Sequence, residues 1–299
     1  CNYYKAKKVA YDVQDGEWSP SNDDADYEGK YTMEGALEES VNTIAVKILE
    51  DVGIETTIEM AGKMGIASTL PEVPSLALGT ASISLLEMVT AYSGFVNGGL
   101  RINPYMIERI EDKNGNILYQ RKEVKGERIL DERTSRMMIH MLEGVVDDGT
   151  ARSIRTRYSL QNHIGGKTGT TQNNADGWFL AVTPKLVAGV WTGGIYPEIS
   201  FTETRLGQGA TMALPVFAGF YQKLNKNASY TSVTNASFKP IKEEWEKELD
   251  CDPFKEDFRF FEWLFGKDQD EKDDRNLETE EKEGFMKKLG DIFKKKKKN

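Results

Sequence analysis

The 299-residue sequence predicts an α/β fold in which an antiparallel sheet packs against helices beside a mainly helical lobe. Two patterns carry that expectation. Between residues 164 and 191 three strand-like segments follow one another, the last two being apolar runs parted only by Thr183-Pro184-Lys185. Spacing this tight is that of an antiparallel meander. Much of the remaining chain to residue 224 sets apolar residues at intervals of three and four, with small or capping residues at the ends, which marks helices burying one face.

In chain order, residues 9–13 read as a short strand and Asp15-Gly16 with Asn22-Asp23-Asp24 as a polar loop. Residues 33–39 suit a helix. Ser40 and Asn42 interrupt it, because such side chains bond nearby backbone and favour caps and turns. Ile44, Val46, Ile48, Leu49 and Val52 then resume a helical pattern that ends at Gly53. Further helices are expected over 56–64, 84–97 and 131–146. Residues 105–111 and 117–120 flank Asn114-Gly115, the strongest hairpin signal in the chain. A last helix is expected over 213–224, with its proline near the start, where a helix tolerates one. The only two histidines, His140 and His163, lie apart in sequence and are read as structural or surface residues.

Composition narrows the class. No apolar run approaches the ~20 residues of a membrane span. Cys1 and Cys251 are the only cysteines, which excludes a disulfide scaffold and a cysteine-rich metal site. Charge is uneven: residues 242–283 carry 18 acidic and 8 basic side chains, and residues 284–299 carry seven lysines and one aspartate. The mildly acidic body argues against a nucleic-acid partner. These shifts suggest a domain over 1–228, a linker over 229–241 and a charged tail over 242–299. Within the tail, Phe285, Met286, Leu289, Ile292 and Phe293 share a helical face beside Lys287, Lys288 and Lys294 to Lys298, the pattern of a helix lying on an anionic membrane surface. Phe254, Phe258, Phe261 and Phe265 form a second stripe among acids. The competing reading is a disordered tail whose acids neutralise its lysines.

Most of the chemistry sits in Lys167-Thr168-Gly169-Thr170-Thr171. Alternation along a strand puts Lys167, Gly169 and Thr171 on one face and Thr168 with Thr170 on the other. A cation and hydroxyls at a strand edge suit a carboxylate, and Gly169 leaves the backbone open to close approach. Alone, the stretch reads first as an ordinary polar edge strand, since three common residues recur by chance. Ser40-Val41-Asn42 lies at a junction between helices, where Ser40 or Asn42 could simply be an N-cap.

Taken together, the wording becomes specific. Ala36-Leu37-Glu38-Glu39-Ser40-Val41-Asn42-Thr43, then Gly166-Lys167-Thr168-Gly169-Thr170-Thr171, then Asp176-Gly177-Trp178-Phe179 resemble the transpeptidase domain of bifunctional (class A) penicillin-binding proteins. Trp18-Ser19-Pro20-Ser21-Asn22, Pro74-Ser75-Leu76-Ala77-Leu78-Gly79 and Gly149-Thr150-Ala151 are further family-like wording, so the resemblance spans residues 9–225. One departure matters: no serine is followed three residues on by lysine, so the family's Ser-x-x-Lys nucleophile motif is absent. The expectation is a chain that begins downstream of that motif and is inactive alone.

The resemblance implies a penicillin-binding-protein/serine β-lactamase-like fold, incomplete at the N-terminus, and acyl transfer from stem peptides of peptidoglycan ending in D-Ala-D-Ala. It implies that β-lactams bind the same cleft, and no metal or organic cofactor. Ser40 would pass a proton towards the leaving amine, Asn42 would orient the substrate amide and the missing lysine, and Lys167 would supply positive charge. Thr168 and Thr170 hydroxyls would hold the substrate carboxylate, with Gly169 between them and the Thr170 N–H as an oxyanion donor. An extracytoplasmic location, an upstream anchor and an upstream glycosyltransferase are further implications. Two rivals remain. A β-lactamase needs a group to activate the deacylating water, and no Glu-x-x-Leu-Asn element lies between Ser40 and Lys167. A wall-binding scaffold would keep the cleft without the serine.

Overall fold

A computed structural model describes residues 3–249, apart from 14–15, 24–26, 172 and 197. The two apolar stripes expected in the tail lie outside the described residues.

The meander forms as expected. Strands β9 (Gly165–Thr170), β10 (Asp176–Thr183) and β11 (Leu186–Gly193) make a three-stranded antiparallel sheet in the order β11-β10-β9. Its register pairs Leu180 with Lys167 and Trp178 with both Gly169 and Trp191. Among the described residues, eight shorter strands precede it as two-stranded ribbons: β1 (Tyr4–Lys5) with β4 (Lys30–Tyr31), and β2 (Tyr11–Val13) with β3 (Gly16–Trp18). Then come β5 (Leu100–Arg101) with β8 (Glu127–Arg128), and β6 (Arg109–Glu111) with β7 (Ile117–Gln120). Strand β6 is shorter than expected because residues 105–108 join no ladder; Tyr105 instead lies under the Arg121 guanidinium, 3.3 Å from its ring centre.

Helices α1 (Met33–Glu38), α2 (Asn42–Val52), α3 (Ile54–Met64), α4 (Leu85–Val96) and α5 (Glu132–Asp147) build the helical lobe. Their starts follow from local chemistry. Thr32 Oγ1 accepts from the Gly35 N–H at 3.0 Å, Asp131 Oδ1 from the Thr134 N–H at 2.6 Å, and Ser84 with Glu87 forms a full capping box. The short α6 (Ser153–Thr156), α7 (Thr204–Gly207) and α8 (Gly209–Met212) lead to α9 (Leu214–Asn225), where Pro215 sits in the first turn. The short helices α10 (Thr231–Thr234) and α11 (Glu243–Leu249) follow.

The sheet is covered on both faces. On one, Phe179 packs on Phe217 of α9 at 5.3 Å between ring centres, and Phe217 in turn on Tyr221 at 5.5 Å. All three rings are buried. On the other, Gly189 makes room for Leu85 and Val89 of α4 beside Leu180, and Gly165 for Leu142 of α5. Lys167 shares that second face, two residues on from Gly165 along β9, so alternation aims it at the helical lobe. Helix α1 rests on α5 where Gly144 leaves space for Glu38. Ser40 is thereby held over the edge of the sheet.

Candidate active site

Ser40 sits in the turn between α1 and α2 at φ 55°, a left-handed conformation that costs a side-chain-bearing residue roughly 1–2 kcal/mol. The turn is fixed by its own backbone. Ser40 N–H donates to Leu37 O at 3.2 Å and Val41 N–H to Ala36 O at 2.9 Å.

Neither Ser40 nor Asn42 caps α2, which corrects that reading of the sequence. The N-cap position belongs to Val41, which has no side chain able to bond. The orphan N–H of Thr43 is met from outside the helix by Asn22 Oδ1 at 3.1 Å, while Asn22 Nδ2 donates to Thr43 Oγ1 at 3.2 Å. Buried Asn22 does the capping from 21 residues upstream and leaves the Ser40 hydroxyl to other work. Replacing Asn22 with Ala should destabilise the protein by about 1–2 kcal/mol, as loss of a cap does, lowering the denaturant midpoint at unchanged m-value.

Lys167 Nζ donates to Ser40 Oγ at 2.7 Å and to Thr168 O at 3.1 Å. The structure thus joins residues 127 positions apart in sequence. Burial disfavours the ammonium and pushes its pKa down from 10.5 to about 8. Asn42 takes a different direction: its Nδ2 donates to Ser21 O at 2.7 Å, tying the start of α2 to the segment that contains Asn22.

The threonines are already engaged. Thr168 Oγ1 lies 2.9 Å from Thr150 Oγ1, and Thr170 Oγ1 accepts from the Gly209 N–H at 3.0 Å. An acceptor role leaves the Thr170 hydroxyl hydrogen free to donate, and the Thr150–Thr168 pair retains one hydrogen beyond their shared bond. Backbone polarity follows from register. Thr171 N–H donates across to Asp176 O at 3.3 Å, so the N–H groups of Thr168 and Thr170 point away from β10 towards the strand edge. Gly169 has a further reason to be glycine: an added Cβ would come within 3.1 Å of Trp178 Cβ on the paired strand.

Both histidines pair with acids: His140 Nε2 lies 3.3 Å from Glu34 Oε1 and His163 Nδ1 3.1 Å from Glu143 Oε1. Among the described residues no group of three or more His, Cys, Asp or Glu could hold a metal ion. Sequence reasoning missed Asn22, Thr150 and Gly209 as parts of the site. The first two lay inside stretches already singled out, Trp18 to Asn22 and Gly149 to Ala151; nothing local marked Gly209.

Residues 4–195 match the penicillin binding protein transpeptidase domain. The chain belongs to that family. It is 34% identical over 222 residues to penicillin-binding protein 1A of Aquifex aeolicus, covering 74% of this chain and 30% of that protein. To penicillin-binding protein 1A of Pseudomonas aeruginosa it is 32% identical over 250 residues, covering 67% and 30%. The chain therefore spans about 30% of the length of these relatives. Penicillin-binding protein 1A from Haemophilus influenzae has the same fold, with a TM-score of 0.71 at 23% identity over 80% of this chain and 40% of that one. PonA1 from Mycobacterium tuberculosis superposes with a TM-score of 0.66 at 18% identity, covering 81% and 66%. The fold expected from the resemblance is thus the fold observed, with helices and antiparallel sheet mixed.

Proposed function

We propose that this chain forms part of a serine D,D-transpeptidase that cross-links peptidoglycan stem peptides ending in D-Ala-D-Ala and is acylated by β-lactams. The observation that carries the reading is the 2.7 Å bond from Lys167 Nζ to Ser40 Oγ, beside a strand whose Thr168 and Thr170 N–H groups point away from β10. The acylating serine is not among these residues, since no serine here precedes a lysine by three. A longer protein carrying a Ser-x-x-Lys motif would supply it, together with an anchor that holds the domain on the outer side of the cytoplasmic membrane and an upstream glycosyltransferase.

In that reaction the serine attacks the penultimate D-Ala carbonyl and its proton passes by way of Ser40 to the departing D-Ala amine. The acceptor amine then takes the acyl group and restores the serine. Lys167 holds the Ser40 hydroxyl in place and presents positive charge to the substrate carboxylate, Thr170 donates its hydroxyl hydrogen to that carboxylate, and Thr168 holds it through the hydroxyl pair with Thr150. The outward Thr170 N–H is one oxyanion donor. Asn42 flanks the donor peptide at the start of α2, and Gly169 lets the strand approach it.

Charge on Lys167 makes the reading testable by pH. Because burial lowers its pKa to about 8, the cation is present below that pH and is lost above it. Acylation of the longer protein by a fluorescent penicillin should fall about tenfold per unit once pH exceeds 8. In Lys167→Arg, which stays charged to far higher pH, this inflection should vanish. A profile flat from pH 7 to about 9.5 in the unsubstituted protein would sink the role given to Lys167.

A further inference from the structure

We infer that Asn174 is a positioning residue for the Thr170 hydroxyl, acting through the segment 201–209. Three features of the fold point there. Asn174 is buried, 8% exposed, and holds φ 54°, so a side chain is kept in a left-handed turn just beyond β9. It clasps the later segment with both backbone and side chain: its O accepts from the Phe201 N–H at 3.2 Å, and its Nδ2 donates to Phe201 O at 3.3 Å and reaches Thr204 Oγ1 at 3.5 Å. The chain then runs over Asn174 so closely that a Cβ on Gly207 would collide with Asn174 Cβ.

Two residues later the same segment delivers the Gly209 N–H to Thr170 Oγ1 at 3.0 Å. That bond decides what Thr170 can do. A hydroxyl has one hydrogen and two lone pairs; with the Gly209 N–H on one lone pair, the hydrogen is turned away from α8. Resting on the transpeptidase reading, this orientation makes Thr170 a donor to the substrate carboxylate. If Asn174 releases the segment, the Gly209 N–H retreats, the hydroxyl turns freely, and carboxylate recognition weakens while attack on the carbonyl is untouched.

The test is made in the longer, penicillin-labelling protein, comparing acylation by a β-lactam with a free carboxylate against its methyl ester. Asn174→Gly keeps the left-handed turn and removes the side chain that bonds Phe201 O and Thr204 Oγ1. It should slow the acid about tenfold and the ester less than twofold, Thr170→Val should reproduce that pattern, and the two together should lose no more than Thr170→Val alone. Hydrogen exchange at the Gly209 amide should quicken in both single variants. Equal slowing of acid and ester, or additive losses in the double variant, would overturn the role of Asn174 and leave the transpeptidase reading standing. Failure of the unsubstituted protein to be acylated at all would instead refute that reading, and this inference with it. Should Asn174→Gly fold poorly, Phe201→Pro removes the N–H that bonds Asn174 O and must give the same split between acid and ester.

Discussion

Acylation of the longer protein by penicillin should slow at least tenfold when Lys167 becomes Ala, a loss of about 1.4 kcal/mol in transition-state stabilisation. The bound is conservative. Truncation removes the donor 2.7 Å from Ser40 Oγ and with it the cation facing the carboxylate, and single charge-assisted hydrogen bonds contribute about 1.5–3 kcal/mol. Stability should move the other way, which separates lost chemistry from lost fold. Lys167 is depressed from 10.5 to about 8, so the folded state releases its proton before the unfolded state does. The penalty for burying the charge is in full force below pH 8 and is relieved as pH rises towards 10.5. Lys167→Ala should therefore be no less stable than the unsubstituted protein at neutral pH and should lack its gain in stability above pH 8. An unchanged acylation rate would remove Lys167 from the site.

How far the sequence reaches depends on whether the cause of a feature is local. The meander was legible because apolar runs and the Thr183-Pro184-Lys185 turn are contiguous, and the start of α4 because Ser84, a residue type that caps, stands just before its apolar periodicity. The strand through Lys167-Thr168-Gly169-Thr170 was legible too, with the alternation that parts Lys167 from the threonines. What escaped was non-local. Ser40 and Asn42 look like caps because their intrinsic preference is to cap; the actual cap, Asn22, comes from a distant loop and overrides it. The threonine hydroxyls look free for a ligand, yet Thr150 and Gly209 reach them across 18 and 39 residues. Strands of two or three residues, such as β1 and β8, are too short to show any period. Tertiary partners decide such features, and only the folded chain reveals them.

Gly209→Ala should be the most damaging single-atom change near the site, costing about 3 kcal/mol in stability and breaking the support of Thr170. An added Cβ would lie well inside van der Waals contact with two backbone oxygens, Gly169 O and Trp178 O, and 3.1 Å from Trp178 N. None of these can swing aside, since Gly169 and Trp178 are directly paired across β9 and β10. Helix α8 must retreat instead, opening its contact with Gly177 and drawing the Gly209 N–H from Thr170 Oγ1. Overpacking of this kind costs typically 1–3 kcal/mol, and collision with rigid backbone places it at the upper end. The contrast is Gly219 in α9, where an added Cβ meets nothing within 4 Å. There the same substitution should stabilise by about 0.5–1 kcal/mol, because alanine loses less conformational freedom in a helix. Denaturant midpoints of the two variants should move in opposite directions, and only Gly209→Ala should slow acylation by carboxylate-bearing β-lactams. A Gly209→Ala midpoint within about 0.5 kcal/mol of the unsubstituted protein would mean that α8 slides without strain, and that the close packing of Gly209 on the strand pair does not position Thr170.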